Sequence, residues 1–215
     1  MIILALEFSS DQRSVALARH GEVLAAATET GGFRVTNAFA LITRVLAQSG
    51  LTREQIGVIA IGLGPGSYTG IRSAIAVAQG WQLARPVKLL GISSVEAIAA
   101  RAQADGVSGR IHVVVDAQRS EFYLSTWELS ATTRAEISPL QIVSAATLAG
   151  RVKAGEMCVG PALNAGVGKS LFPDAASLAM LASQRADFIP GQDLEPIYLR
   201  ETSFVKAPKL PVPGP

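Results

Sequence analysis

The chain has 215 residues, of which 49% are apolar and 17% are charged, and its formal net charge at pH 7 is +2. This length permits one large domain or two small ones, and the apolar fraction suffices for a sizeable core. The nearly balanced charge lacks the excess of positive charge that is typical of a protein that binds nucleic acid on its own. The single cysteine excludes an internal disulfide and a cysteine-based zinc site.

The N-terminal segment carries no basic region, and Glu7 interrupts its apolar run well short of a signal peptide or a membrane span. We therefore expect a cytoplasmic protein without a membrane partner. Short apolar runs over residues 2–8, 14–19 and 23–29 predict three strands in an antiparallel meander. Apolar residues at helical spacing from Ala38 to Ser49 predict a helix that Gly50 ends.

Alternating strands and helices follow. Residues 58–62 and 87–92 are predicted strands, and residues 69–83 and 94–103 are predicted helices. After residues 105–109, which resemble an interdomain linker, the order begins again. Strands are predicted over 111–116, 122–128, 141–143 and 157–160, with helices over 145–153 and within 175–183.

This repetition indicates an α/β protein with a duplicated ribonuclease-H-like or actin-like fold in two domains. We place an N-terminal actin-like domain at residues 1–105 and a shorter C-terminal one at 106–205. Prolines crowd residues 206–215, where they exclude a helix or a strand ladder, so this tail is predicted to be disordered.

A glycine-rich turn stands between a strand and a helix at residues 62–70. Gly64 and Gly66 permit backbone angles that a Cβ forbids, while Ser67 or Thr69 offers a cap for the helix that follows. Such a turn is compatible with a phosphate cradle at a helix N-terminus. It is equally compatible with a tight strand–turn–helix connection.

In a fold of this type nucleotide lies between the halves, with the turns after the first strand of each half facing the phosphates. Asp11 lies in the first of these turns, and Ser9, Ser10 and Asp116 are the candidate nucleotide-binding residues. Glu7 and Asp116 end their strands, where carboxylates either bind magnesium and act in catalysis or simply cap turns. Arg119 is placed to pair with Asp116 or to hold a phosphate. These residues support the alternative function of an ATP-dependent phosphotransferase or ATPase.

Other chemical signals are weak. The Gly-Lys-Ser sequence ending at Ser170 fails as a P-loop, because Leu163 stands where the opening glycine belongs and Pro173 falls in the required helix. His20 and His112 lack ligand spacing and are interpreted as surface or structural histidines. Cys158 lies in an apolar run, where thiols are usually inert.

The helix predicted over 69–83 carries small residues at four-residue intervals, so that another backbone can approach one narrow face. That face is formed by Gly70, Ala74 and Ala78. Burial against the protein's own sheet is one interpretation. The other is a contact between subunits, shared with the outer face of the preceding helix, which consists of Phe39, Ala40, Thr43 and Ala47.

The order and spacing of five blocks resemble the TsaB (YeaZ) family. These blocks are residues 4–7, the sequence Gly-x-Gly-Pro-Gly-Ser-Tyr-Thr-Gly-Ile-Arg at 62–72, and residues 114–119, 159–161 and 196–200. The resemblance runs from Met1 to about Arg200. It implies an actin-like fold and a role in forming threonylcarbamoyladenosine at position 37 of tRNAs that read codons beginning with adenine.

The resemblance implies a scaffold rather than an enzyme. In that family a larger paralogue, TsaD, transfers the threonylcarbamoyl group, and an ATPase, TsaE, joins the complex. The paralogue holds its metal with a His-x-x-x-His pair, and Ser94 and Ile98 stand at the corresponding positions here. Isoleucine cannot bind a metal, and a neutral serine hydroxyl is a poor ligand beside imidazole. We therefore expect no catalytic residues and no metal.

Two departures from the family pattern are visible. Many members carry a His-Ser pair before the second helix, whereas residues 33–37 here read Phe-Arg-Val-Thr-Asn, and the first strand ends in Glu7 where aspartate is usual. We expect no cofactor on the isolated chain, with ATP possible in the complex. The expected partners are a TsaD-type subunit, a TsaE-type ATPase and, when the chain is alone, a second copy bound through the same surface.

The helix face and the resemblance together predict that the glycine-rich turn presents Gly70, Ala74 and Ala78 to the partner. On that basis, arginine at Ala74 or Ala78 is expected to abolish association while leaving the monomer folded. Direct tRNA binding is disfavoured, because the net charge is small and the sequence shows no aromatic and basic platform. The tRNA is expected to be reached through the complex.

Overall fold

A computed structural model describes residues 1–31, 37–161, 163–164 and 166–199. The first half contains β1 (Ile2–Glu7), β2 (Gln12–Arg19), β3 (Glu22–Thr30), α1 (Ala38–Ser49), β4 (Ile56–Gly62), α2 (Tyr68–Ala84), β5 (Lys88–Ile92) and α3 (Ser94–Ala104). The second half contains β6 (Gly109–Asp116), β7 (Glu121–Leu129), β8 (Arg134–Ser144), α4 (Ala145–Lys153), β9 (Met157–Gly160), β10 (Lys169–Ser170) and α5 (Ala175–Ala182).

The strands form two five-stranded sheets with equivalent topology. Their orders are β3-β2-β1-β4-β5 and β8-β7-β6-β9-β10. In each sheet the first three strands are antiparallel neighbours, and the last two run parallel to the central strand. The predicted duplication is therefore confirmed as the ribonuclease-H-like, actin-like arrangement.

The element predictions held best where apolar periodicity was strong. Helix α1 ends at Ser49, with Gly50 in the left-handed conformation as its C-cap, and α4 and β9 have the predicted bounds. The prediction was wrong in extent for β8, which is a strand of 11 residues rather than three. None of its residues is buried and Pro139 interrupts the run, so that pairing with β7 rather than local pattern keeps it extended.

The predicted linker is a compact connection. Gly106 adopts a positive φ, and the amide of Val107 donates to the Ala102 carbonyl at 2.9 Å, closing the end of α3. Val107 then packs against the second sheet, and Gly109 already begins β6.

Apolar side chains cover both faces of the first sheet. β1 is buried throughout, with Leu4 and Leu6 packed in the cluster that includes α1 and α2, whereas Ile3 and Ala5 join a cluster with α5. A central strand sandwiched in this way reads as a continuous apolar run, which explains why its sequence shows no alternation.

Each of the two helices between the sheets packs on the sheet that is formed by the other half of the sequence. Residues of α3 such as Ile98 pack on the second sheet, while residues of α5 such as Leu178 pack on the first. Arg101 of α3 forms an ion pair with Asp174, the N-cap of α5, and the amide of Ala175 donates to Ser14 Oγ in β2 at 2.8 Å. The predicted boundary at 105 and 106 thus separates the sheets but not the helices that cover them.

None of the helices in the described part of the chain is long and apolar enough to cross a membrane. The predicted tail at 206–215 and residues 33–36 of the stretch that departs from the family pattern lie outside the described residues. Asn37, the last residue of that stretch, caps α1 through Oδ1, which accepts from the Ala40 amide at 3.1 Å.

Candidate functional site

A cleft of about 720 Å³ opens where the carboxyl ends of β1 and β6 face each other between the sheets. It is formed by the turn after β1, the glycine-rich turn with the start of α2, the end of β6, and the segment around Tyr198. The residues lining it include Ser9, Ser10, Asp11, Gly66, Ser67, Tyr68, Thr69, Asp116, Gln118, Tyr123, Pro161, Phe172 and Tyr198. The fold therefore brings the three nucleotide candidates Ser9, Ser10 and Asp116 into one cleft.

The glycine-rich turn packs directly on the turn after β1. A Cβ at Gly66 would overlap the Ser9 carbonyl oxygen, and a Cβ at Gly70 would overlap the Phe8 carbonyl oxygen. The Ser67 amide donates to that same Ser9 oxygen at 2.7 Å, and Ser67 Oγ caps α2 by accepting from the Gly70 amide. Glycine is required at both positions because the backbone of the turn after β1 approaches so closely. This supports the interpretation of the segment as a tight strand–turn–helix connection.

Beneath this turn lies Glu7, which is completely buried. Its Oε1 accepts from the Ser9 amide at 2.8 Å and its Oε2 from Ser94 Oγ at 2.9 Å, while Ser94 Oγ itself accepts from the Gly64 amide at 3.1 Å. Burial raises the pKa of the Glu7 carboxyl, and the hydrogen bonds from Ser9 and Ser94 oppose that rise. Gly62 makes room, because a Cβ there would overlap the carboxylate.

Glu7 and Asp116 therefore do not form an open pair of carboxylates, and the capping interpretation of Glu7 agrees with its contacts. Glu7 is enclosed and hydrogen-bonded, whereas Asp116 is exposed. Within the described ranges no group of three or more His, Cys, Asp or Glu residues is arranged to hold a metal ion. Glu7 instead joins β1, the glycine-rich turn and α3.

The hydroxyl groups of Ser9 and Ser10 are already engaged within the chain. The amide and hydroxyl of Ser9 bond to Glu7, and Ser10 Oγ donates to the Gln12 carbonyl at 2.8 Å. Phosphate needs donors, so these bonds weaken the case for Ser9 and Ser10 as phosphate ligands.

The predicted ion pair between Asp116 and Arg119 is not among the contacts of the described residues. Asp116 accepts instead from the amide and side chain of Gln118, at 2.7 and 3.2 Å. Gln118, Arg119 and Ser120 all have positive φ values between 57° and 65°, so the hairpin between β6 and β7 holds three consecutive left-handed residues. This conformation leaves Arg119 exposed beside the cleft.

Sequence reasoning missed an aromatic cluster at the rim of the cleft. The rings of Tyr68 and Tyr198 stack with centroids 5.7 Å apart and an interplanar angle of 22°, and the Arg72 guanidinium lies 5.0 Å from the Tyr68 ring centroid. Burial raises the pKa of the Tyr198 hydroxyl, whereas the nearby Arg72 acts in the opposite direction. The only local signal was the i, i+4 spacing of Tyr68, one residue before the predicted helix, and Arg72 within it.

The two positions compared with the paralogue's metal ligands serve packing. Ser94 is buried in the Glu7 network, and Ile98 is buried in the core that α3 shares with the second sheet. Neither side chain is presented to the cleft as a ligand.

The remaining candidates are structural. His112 is buried between Thr126 Oγ1, at 3.0 Å from Nδ1, and Glu156 Oε2, at 2.7 Å from Nε2. Cys158 is buried beside it, and burial raises the pKa of its thiol, which agrees with an inert cysteine. His20 is in the turn between β2 and β3.

A second concavity, of about 900 Å³, lies between α1 and α2 on the outside of the first sheet. We call it the α1–α2 groove. It is lined by Phe39, Ile42, Thr43, Leu46, Ala47, Arg53, Glu54, Ala76, Val77, Gly80, Trp81, Ala84 and Arg85. Three residues of the predicted outer face, Phe39, Thr43 and Ala47, are exposed in this groove, and Phe39 is 67% exposed. Ala40 is exposed on the same helix but does not line the groove.

The prediction that Gly70, Ala74 and Ala78 meet a partner is wrong. Ala74 and Ala78 are fully buried in the core of the first sheet, and Gly70 is buried where α2 begins against Phe8. Small side chains at these positions let α2 approach its own sheet closely. The groove is lined instead by other small residues of α2, including Ala76 and Gly80.

Comparison with known families gives one match over most of the chain. The family model described as TsaD: tRNA N6-adenosine threonylcarbamoyltransferase matches residues 34–181. Among curated proteins, the chain is 30% identical over 128 residues to the tRNA threonylcarbamoyladenosine biosynthesis protein TsaB of Escherichia coli (strain K12), covering 60% of this chain and 55% of that protein.

The TsaB protein of Haemophilus influenzae (strain ATCC 51907 / DSM 11121 / KW20 / Rd) is 33% identical over 128 residues, covering 58% of this chain and 53% of that protein. The chain thus spans about half the length of the curated relatives it matches.

Two solved structures from Pseudomonas aeruginosa share the fold over nearly their whole length. One, described as an uncharacterized protein with similarity to peptidase YEAZ, superposes with a TM-score of 0.79 at 25% identity, covering 93% of this chain and 99% of its own. The other, described as YeaZ, gives a TM-score of 0.74 at 24% identity, with coverages of 92% and 99%. The resemblance to TsaB and YeaZ that the sequence blocks suggested is therefore confirmed.

Proposed function

The chain belongs to the family that the matching model describes, tRNA N6-adenosine threonylcarbamoyltransferase (TsaD), and we propose that it is a TsaB-type, non-catalytic partner subunit. In this role it binds and supports a TsaD-type catalytic subunit that forms threonylcarbamoyladenosine at position 37 of tRNAs reading codons that begin with adenine. A TsaE-type ATPase joins the same complex in the cytoplasm. Nucleotide, if it enters the complex, is held with the help of the partners.

The α1–α2 groove is the observation that carries the partner role. Its walls are mainly apolar, it is about 900 Å³ in volume, and Phe39 at its edge leaves 67% of its surface in water. A large exposed apolar concavity with charged residues at one end is typical of a protein interaction site. Arg85 and Glu54 form that charged end, with their side-chain atoms 3.5 Å apart.

The residues at the compared metal positions favour a supporting role over the transferase reaction. Ser94 is committed to Glu7 and Gly64, and Ile98 to the core. To restore the paralogue's metal-binding histidine pair, two buried residues, a serine and an isoleucine, have to be replaced by histidine. The surrounding packing opposes that replacement.

The same groove accounts for self-association when the catalytic subunit is absent. Two copies that pair through α1 and α2 bury both exposed Phe39 side chains, which gives an isologous contact of the kind that forms closed dimers. The homodimer and the TsaD-type complex are then mutually exclusive. Adding the TsaD-type subunit is expected to dissociate the homodimer.

The test places an arginine in the groove without disturbing the core. A Cβ at Gly80 meets no atom within 4 Å, so Gly80→Arg is expected to fold normally and to block binding of the TsaD-type subunit in size-exclusion light scattering. Leu83→Arg is the matched control, because Leu83 is 90% exposed on α2 but does not line the groove. Gly80→Ala controls for loss of the glycine itself. Normal complex formation by Gly80→Arg would remove the groove from the proposal.

The alternative function is an ATP-dependent phosphotransferase or ATPase acting in the interdomain cleft. The convergence of Ser9, Ser10 and Asp116 on that cleft favours it, whereas their engaged donors and acceptors oppose it. Calorimetric titration of the isolated chain with Mg-ATP separates the two functions. The partner role predicts no measurable heat of binding, and micromolar binding would support the enzyme.

A further inference from the structure

Exposed aromatic rings mark the rim of the interdomain cleft, at some distance in sequence from one another. Tyr68 is 58% exposed and Tyr198 is 37% exposed, although both rings take part in a stack. Tyr123, the third tyrosine lining the cleft, is only 8% exposed. The rim therefore presents the stacked rings of two tyrosines to water, and such amphipathic rings are well suited to contact a ligand.

Arg72 gives this aromatic surface a positive charge. Its guanidinium lies over the Tyr68 ring and forms no ion pair with any described carboxylate. By contrast, Arg101 and Arg185 between the sheets each pair with two carboxylates. Arg72 is hydrogen-bonded to the Tyr198 side chain, and because it has no ion pair with a described carboxylate its charge can also attract a ligand that combines negative charge with a planar ring.

We propose that Tyr68, Arg72 and Tyr198 form a platform for an unpaired nucleotide of RNA. The base stacks on the exposed tyrosine surface at the edge of the cleft, and Arg72 contacts a neighbouring phosphate. Stacking on aromatic side chains combined with cationic contacts to the backbone is the general mode of single-strand recognition. The identification of the RNA as tRNA rests on the proposed function.

The charges of the cleft determine which part of the nucleotide enters it. Asp11 and Asp116 line the cleft, and both oxygens of Asp116 are already occupied by Gln118. Carboxylates repel phosphate, so the phosphate stays at the rim, where Arg72 and the exposed Arg119 lie, and the uncharged base approaches the interior. This orientation also separates the platform from an ATP site, which would bring a triphosphate past the same acids.

The platform is separable from the contacts that fix the C-terminal segment. The Ile197 amide donates to the Leu63 carbonyl at 2.8 Å, the Gly191 amide donates to Gln82 Oε1 at 3.0 Å, and Leu194 is buried in the first core. These anchors remain when a tyrosine ring is removed. Substitution of the exposed Tyr68 is therefore expected to leave the fold intact.

The experiment uses the full chain, alone and bound to the TsaD-type subunit, with two fluorescent probes: an anticodon stem-loop RNA and a single-stranded oligoadenylate of 12 nucleotides. Tyr68→Ala is expected to weaken binding of the probes by about five- to a hundredfold, the loss of one stacking contact. Arg72→Ala is expected to weaken binding and to reduce the slope of log affinity against log salt by about 0.7. Arg19→Ala at the opposite end of the first sheet and Leu83→Ala on α2 are matched controls and should bind normally.

The outcomes separate this inference from the proposed function. Unchanged RNA affinity of Tyr68→Ala and Arg72→Ala overturns the platform even if the TsaD-type complex forms. Loss of complex formation by Tyr68→Ala with unchanged RNA affinity also overturns it, since the rings would then be a protein contact. If the wild-type chain fails to bind the TsaD-type subunit, binding of oligoadenylate by the chain alone still decides the platform. Tyr68→Leu, which keeps apolar volume without a π face, replaces Tyr68→Ala if the latter unfolds.

Discussion

The two faces of α2 contain similar residues and do opposite things. The inner face, with Gly70, Ala74 and Ala78, is buried against the protein's own sheet. The outer face, with Ala76 and Gly80, is exposed along the α1–α2 groove. A small side chain thus tells us that another backbone approaches closely or is free to do so. It does not say whether that neighbour belongs to the same chain.

The same substitution on α2 therefore has different effects on its inner and outer faces. Residues two positions apart point to nearly opposite sides of an α-helix, because a turn contains 3.6 residues. An arginine at one position therefore enters the core, whereas an arginine two positions further along lines the groove. The stability of the monomer and its association with a partner are consequently controlled by opposite faces. The following predictions test that separation.

The largest expected effect is from Ala74→Arg compared with Ala76→Arg. Ala74 has no exposed surface, so its substitution buries a charge with no partner and is expected to cost about 4 kcal/mol or more of the free energy of unfolding. Ala76 is exposed, and arginine there should change stability by less than about 0.5 kcal/mol. Urea denaturation monitored by circular dichroism measures both. Equal stabilities would contradict the burial of the inner face.

A second comparison uses a glycine of the inner face. A Cβ at Gly70 would overlap the Phe8 carbonyl oxygen, a backbone atom that cannot turn aside as a flexible side chain can, and would also crowd the Ser67 hydroxyl. Gly70→Ala is therefore expected to lower the free energy of unfolding by about 2–3 kcal/mol. A thermal melt that moves upward instead would show that α2 is free to shift away from β1.

The contribution of the Glu7 network to stability depends on the length of the side chain at position 7 and on pH. Glu7→Asp shortens the side chain and loses the bond from Ser94, at an expected cost of about 1–3 kcal/mol. Because burial raises the pKa of Glu7, the folded state binds its proton more tightly than the unfolded chain. The stabilisation is complete below the ordinary value of 4.5 and is lost as the pH rises through the raised pKa.

Glu7→Gln removes that titration. The difference in stability between wild type and Glu7→Gln should therefore shift in favour of the glutamine variant as the pH increases from about 4.5. Urea midpoints at a series of pH values give this difference directly. A pH-independent difference would mean that the carboxyl is not desolvated in the folded protein.

The smallest expected effect is a gain in stability from Gly80→Ala. The space beyond Gly80 is open, and alanine is favoured over glycine inside a helix by about 0.8–1.0 kcal/mol. The free energy of unfolding should rise by up to that amount, opposite in sign to Gly70→Ala. Destabilisation would indicate that the groove is closed by another part of the chain.

Local pattern was enough to predict most of the elements. The helical apolar spacing of α1, the apolar runs of β1 and β4, and the repetition of strands and helices all follow from short-range periodicity. The strand β8 was underestimated because Pro139 interrupts it and its extension depends on pairing with β7. The exchange of α3 and α5 was likewise invisible, since each helix packs on strands far from it in sequence.

The sequence placed the three nucleotide candidates at one cleft, but it did not show how their side chains are hydrogen-bonded. Ser9, Ser10 and Asp116 do line it. Their hydrogen bonds to Glu7, Gln12 and Gln118 depend on backbone direction and rotamer, which no residue type reveals. The tyrosine pair at its rim joins α2 to a segment close to the last described residue, and only folding brings these parts together.

The sequence by itself determined the duplicated α/β order, the position of the glycine-rich turn and the absence of histidines at the compared metal positions, because these follow from local pattern and residue identity. The tertiary structure alone decided that the small residues of α2 serve the protein's own core, that Glu7 is a buried connector, and that Tyr68 meets Tyr198. Each of these depends on which surfaces are removed from water together. That is a property of packing across the chain and not of any one segment.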